Sequence, residues 1–272
     1  MLSLLAAGVL AACTPAGQRV PPQKPEEEDD VETIVYGPDR SQFAELTRPT
    51  GTAKGVVVVI HGGFWLSQYD LSLGRPLATS LVAKGWIAYN IEYRRVGDGG
   101  GWTQTFDDVA AAIDQLAAVD DIDTSRVVTL GHSAGGHLAV WAAGRPQLTG
   151  SAWADPAVPV TAAISQAGVL DLTAATADDL GDGAVQRLMR GAVDERYPLA
   201  DPTAHIPLAV PVRCVHGTSD STVPLTQSVD YVARAAAAGA DAELVEVEGD
   251  HFVVIDPSSD AWARTLELLE RL

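Results

Sequence analysis

Short runs of β-branched residues alternate along the chain with stretches in which apolar side chains recur at helical spacing. The strongest run, GVVVVI at 55–60, predicts a strand, followed by a helix over Pro76 to Lys84 and a strand over Trp86 to Glu92. From Thr105 to Val119 the apolar positions Phe106, Val109, Ala110, Ile113, Leu116 and Ala117 fall on one helical face, and RVVTL at 126–130 reads as the next strand. A helix over Ala134 to Ala143 and strands at 160–168 (VTAAISQAG) and 210–217 (VPVRCVHG) continue the pattern. A helix over Leu225 to Ala238, a strand over Ala242 to Val247 and an amphipathic helix from Ala261 to Leu272 complete it. Strands alternating with helices predict a mainly parallel sheet covered on both faces. The interval from Asp171 to Pro207 breaks the alternation with scattered acids, glycines and prolines, which is long for a plain crossover and predicts an inserted cap over about 171–207.

The first thirty residues follow another logic. MLSLLAAGVLAAC is apolar but too short to cross a ~30 Å hydrocarbon core as a helix, so residues 1–13 read as a targeting segment. It ends Leu10-Ala11-Ala12-Cys13, which resembles the lipobox of bacterial lipoproteins. That resemblance implies a lipid on Cys13, anchoring to a membrane, and an exported bacterial protein, held in the cell envelope or secreted. Secretory leaders open on Lys or Arg and none precedes Arg19, so an Ala-rich apolar terminus competes with this reading. Residues 14–30, with four prolines and the run Glu26 to Asp30, read as an extended acidic tether. Cys214 is the only other cysteine, so lipidation of Cys13 leaves it without a disulfide partner.

At 272 residues, 47% hydrophobic and 20% charged, the composition is that of an ordinary globular protein, with one α/β domain expected over 31–272. A formal net charge of −18 argues against binding nucleic acid and disfavours polyanionic substrates.

The chemistry concentrates at predicted strand ends. Gly131-His132-Ser133-Ala134-Gly135 fits G-x-S-x-G and lies between a predicted strand and a predicted helix, where a nucleophile elbow needs small residues two before and two after its serine. A serine hydroxyl is a weak nucleophile without a base and an oxyanion site. His61-Gly62-Gly63-Phe64-Trp65 follows the first strong strand and offers main-chain N–H groups. Gly62, Gly63 and Ala134 are the candidate oxyanion residues, with Phe64 N–H as an alternative donor, while His61 reads as a structural residue of the loop. Asp220, in HGTSDSTVP, is the candidate acid, and His251, in EGDHF, the candidate base. His216 reads as a local packing residue, His137 as buried in the elbow helix, His132 as the variable elbow position and His205 as part of the cap. Asp250 and Asp171 are rival acids. The histidines show no metal-ligand spacing and no nucleotide-binding loop stands out, so neither a metal nor a cofactor is expected.

Together these segments resemble the α/β-hydrolase superfamily, in the esterase and lipase branch that includes hormone-sensitive lipase, feruloyl and acetyl esterases and kynurenine formamidase. YGPDRSQFAELTRP is similar to the group's opening hairpin, HGGFW to its oxyanion loop, NIEYRR to the strand after the first helix, GHSAGGHLA to its elbow, and HGTSDSTVP with GDHF to its acid and base. The resemblance implies a sheet of about eight strands and a serine hydrolase acting on a small ester. Proximity to the oxyanion loop alone makes Phe64, Trp65 and Tyr69 the candidates to line an apolar acyl pocket, with the cap over it. The H-G-G-x-W form of the loop is closer to the formamidases, which leaves an amide substrate as a second reading, and a non-catalytic binding protein on the same fold is a third.

Overall fold

The computed structural model describes residues 31–272; Cys13, the targeting segment and the tether lie outside the described residues. The centre is an eight-stranded sheet in the order β1-β2-β4-β3-β5-β6-β7-β8. A hairpin of β1 (Glu32–Val35) and β2 (Phe43–Thr47) forms one edge, with β2 antiparallel to both neighbours. The remaining six strands are parallel: β3 (Val56–Ile60), β4 (Ile87–Ile91), β5 (Val127–His132), β6 (Ala162–Gln166), β7 (Val212–Gly217) and β8 (Ala242–Val247).

Strand periodicity explains why β3 carries no polar residue. Val56, Val58 and Ile60 enter the core on one face, beneath α2 (Gln104–Gln115), α3 (Ala134–Gly144) and α7 (Thr226–Ala237). Val57 and Val59 enter the core on the other, against α1 (Arg75–Ala83) and α8 (Asp260–Arg271). With both faces covered, alternation of polar and apolar positions disappears and a continuous apolar run remains.

Residues 171–207, expected to be irregular, are largely helical: α4 (Leu172–Ala177), α5 (Leu180–Met189) and α6 (Tyr197–Ala200). Asp171 caps α4 by accepting the Ala174 N–H. The opening of α5 is left-handed at Gly181, Asp182 and Gly183, with φ of 60°, 54° and 79°, and only then do Ala184, Val185, Leu188 and Met189 turn a regular apolar face inward. The insert is tied to the elbow helix, where His137 Nε2–H donates to the Ala200 carbonyl and Trp141 Nε1–H to that of Leu199.

Candidate active site

Four loops meet at the carboxyl edge of the parallel strands, where open α/β sheets hold their ligands. They follow β3, β5, β7 and β8, and they carry Gly62 and Gly63, Ser133, Asp220 and His251 respectively.

Ser133 sits between β5 and α3 with φ 56° and ψ −118°, a conformation costly for a residue with a side chain. It is held there by its own N–H, which donates to Gln166 O at the end of β6 (2.8 Å), and by its carbonyl, which accepts from His137 N–H (3.1 Å). The flanking glycines make the turn possible. A Cβ on Gly131 would overlap the Gly135 carbonyl, and one on Gly135 would overlap the Ile60 carbonyl of β3.

His251 Nδ1–H donates to Asp220 Oδ2 at 2.6 Å, and both side chains are buried. Asp220 Oδ1 accepts the N–H groups of Thr222 and Val223 at 2.8 and 2.9 Å. Burial opposes ionisation of Asp220, but the close His216 imidazole, the hydrogen bond from His251 and that from the Val223 amide outweigh it and hold the carboxyl well below the usual carboxylate range. Asp250 is occupied locally, accepting the N–H groups of Phe252 and Val253, and Asp171 serves as a helix cap paired with Arg234. Neither rival acid reaches the histidine.

Ser133 and His251 open on one cavity of about 80 Å³, shared with Gly63, Phe64, Tyr69 and Phe252. Among the described residues no hydrogen bond joins Ser133 Oγ to His251; catalytic contacts in unliganded sites are commonly long and tighten around substrate. A larger groove of about 510 Å³ lies at the opposite, amino edge of the sheet, around Arg48, Lys54 and Arg126, away from these residues.

His132 is more than a variable position. Its Nε2–H donates to the His251 carbonyl (2.9 Å), and the two rings lie 4.5 Å apart, so the residue before the serine tethers the loop that carries His251. Burial and the neighbouring His251 push the His132 imidazole down to about 3, which keeps it neutral.

The loop after β3 rests on a buried scaffold. His61 stacks on Tyr93 at 4.4 Å and lies 2.8 Å from the Gly62 carbonyl and 3.0 Å from the Glu92 carboxylate. Glu92 in turn accepts from Arg95 and from the Leu71 and Tyr93 N–H groups. Glu92 escaped the sequence reading; the signal available was an acid ending the apolar strand IAYNIE beside a glycine loop. Gly63 (φ 110°) and Phe64 (φ 53°) face the cavity, whereas Gly62 packs behind Ser133, where a Cβ would come within 3.1 Å of the serine Cβ. Ala134 heads α3, and its N–H belongs to the first turn that a helix leaves without internal partners.

Two expectations about the pocket are corrected. Trp65 does not line it: the ring is fully buried and meets His137 edge-on at 5.3 Å in the core. Nor does the insert cover it, because no residue of 171–207 lines the cavity and the approach is indirect, through Gly181 against the Phe64 ring. The apolar residues of the insert are spent on the main core. The rim is formed instead by Tyr69, Leu73 and Phe252, each substantially exposed, with Ile255 and Thr222 beside them. Among the described residues no cluster of His, Cys, Asp or Glu has the makings of a metal site.

Comparison with known proteins agrees with this architecture. Esterase LipC of Mycobacterium tuberculosis is 29% identical over 223 residues, 74% of this chain and 54% of its own. Isoprenylcysteine alpha-carbonyl methylesterase ICME of Arabidopsis thaliana is 25% identical over 236 residues, 80% and 55% respectively. The chain thus spans about half the length of the curated relatives it matches. Esterase B of Lactobacillus rhamnosis, solved as a tributyrin phosphonate complex, superposes with a TM-score of 0.77 at 21% identity, covering 90% of this chain and 85% of the other, a likeness of fold. The BD-FAE family model matches residues 46–234, most of the chain, and on that match the protein belongs to the BD-FAE family, within the esterase and lipase branch of the α/β-hydrolases.

Proposed function

We propose that the protein is a carboxylic ester hydrolase that works through a serine acyl-enzyme. The observation that carries this reading is the 2.6 Å His251–Asp220 bond beside a strained Ser133 on the same cavity. Because His251 commits Nδ1–H to Asp220, Nε2 is the nitrogen left to take the Ser133 proton as Oγ attacks the ester carbonyl. The Ala134 N–H, with those of Gly63 and Phe64, stabilises the oxyanion, and Gly62 allows that loop to approach the serine. His251 returns the proton to the departing alkoxide, and water, activated by the same imidazole, then releases the acid. A cavity of about 80 Å³ favours a short acyl group, with the exposed aromatic rim meeting the rest of the substrate. The curated relatives are named as esterases, which agrees with this class. The loop's likeness to formamidases turns on Trp65, which lies in the core and not on the cavity, and comparing rates on N-formylkynurenine and p-nitrophenyl acetate separates the amide reading from the ester one.

Ser133→Ala should lower turnover of p-nitrophenyl acetate by roughly 10⁶, and a fluorophosphonate should label the wild type at Ser133. A wild-type protein that neither turns over esters nor takes the label would be a binding protein. We also propose attachment to the cell envelope through a lipid on Cys13; Cys13→Ser should then move the protein from the membrane to the soluble fraction.

A further inference from the structure

A second imidazole faces the candidate acid. His216, on β7 four residues before Asp220, is completely buried, and its Nε2 lies 3.2 Å from Asp220 Oδ2, the same oxygen that accepts from His251. That nitrogen also lies 3.0 Å from the Val223 carbonyl. Both neighbours are acceptors, so Nε2 carries the hydrogen and turns its positive end towards them. On the other side of the ring, Nδ1 lies 2.8 Å from Ser228 Oγ on α7, which fixes the imidazole plane.

The Val223 contact closes a loop of interactions. Its carbonyl accepts from His216 while its N–H donates to Asp220 Oδ1, so His216 braces the peptide that holds one carboxylate oxygen and flanks the other oxygen directly. His251 approaches from the loop after β8, His132 packs against His251 from the end of β5, and Ser228, which also neighbours the buried Cys214, stands behind His216.

We infer that His216 is a positioning residue for the acid: it holds the Asp220 carboxylate in place for His251 and draws off part of its negative charge. The inference rests on the hydrolase reading only in assigning the Asp220–His251 pair to the chemistry of Ser133. A lone carboxylate would bind the His251 proton more strongly, so removing the His216 N–H makes His251 a stronger base in its resting state and a less well oriented one.

The test compares His216→Leu, which keeps bulk without a donor, with His216→Gln, whose side-chain amide restores an N–H near the Nε2 position. The Leu variant should lose roughly tenfold in kcat with KM little changed, the scale of losing one close polar partner of a buried carboxylate together with the brace on Val223. The acid limb of its kcat/KM profile should move to higher pH by about half a unit or more, and the Gln variant should recover most of both. Titration of the His251 ring by NMR reads the same shift without any turnover, so an inactive wild type would sink the hydrolase reading while leaving this inference measurable. If the Leu variant does not fold, His216→Asn, too short to reach Asp220, takes its place. An unshifted His251 titration, or equal losses in the Leu and Gln variants, would overturn the role.

Discussion

Ser133 and Gly63 show how the site depends on single backbone conformations. Ser133 keeps a positive φ because neighbouring peptides and the absence of side chains at 131 and 135 leave the turn no other course. Gly63, at φ 110°, has no room for a methyl group, since a Cβ there would run into the Tyr69 ring. Gly63→Ala must therefore rotate the peptide that presents the cavity-facing N–H groups. A loss of about 10²–10³ in kcat, the cost of one oxyanion donor, is expected, and an unchanged kcat in steady-state assays would remove this loop from the site. The candidate triad was legible in the sequence because each member closes a predicted strand, in the order serine, acid, histidine. His216 and Glu92 were not read as partners of the site. Their significance lies in contacts across loops, and sequence spacing does not say that an imidazole one turn of loop before an acid will face it.

At the scale of elements, the parallel strands and their covering helices could be read directly, since β3 and β4 are buried on both faces and α2 shows a clean apolar stripe. The insert could not. Its α5 carries three left-handed residues directly after Leu180, so the glycines and acids that look like loop conceal a helix whose regular apolar face starts at Ala184. The correction separates two functions that a cap would have joined. Leu188, fully buried in the insert, supports the core, and Leu188→Ala should cost about 2–5 kcal/mol of stability while leaving KM for a small ester unchanged. Phe252, 60% exposed at the cavity rim, behaves in the opposite way: Phe252→Ala should raise KM by roughly tenfold with little change in Tm. Thermal melts and steady-state kinetics on both variants check this division, and a KM change in Leu188→Ala would return the insert to the site.

The whole molecule couples two buried imidazoles, His132 and His137, and the Cys214 thiol to stability at the two ends of the pH range. Burial lowers His132 to about 3 and His137 to about 4 from an ordinary 6.5, so below about pH 6.5 the unfolded chain takes up protons that the folded chain refuses. Their contribution is whole above 6.5, falls as the pH drops through that window, and is lost once the folded values are passed. Asp220 adds a further loss below the ordinary carboxylate value, since its folded form resists protonation. Cys214 acts at the other end: burial raises it from 9.0 to about 12, so its contribution is whole below about 9 and declines as the unfolded thiol ionises above that. Rising pH also deepens a net charge already at −18, adding self-repulsion on the same side. Tm should therefore hold a plateau between about pH 6.5 and 9 and fall on either side. His137 isolates the acid limb, because it lies in the core away from the cavity, its Nε2–H tied to the Ala200 carbonyl. His137→Leu breaks that bond and lowers Tm at every pH, but it removes one site of proton uptake. The drop in Tm between pH 7.5 and pH 5 should be smaller in the variant than in the wild type, and an equal drop would mean that the acid sensitivity has another source.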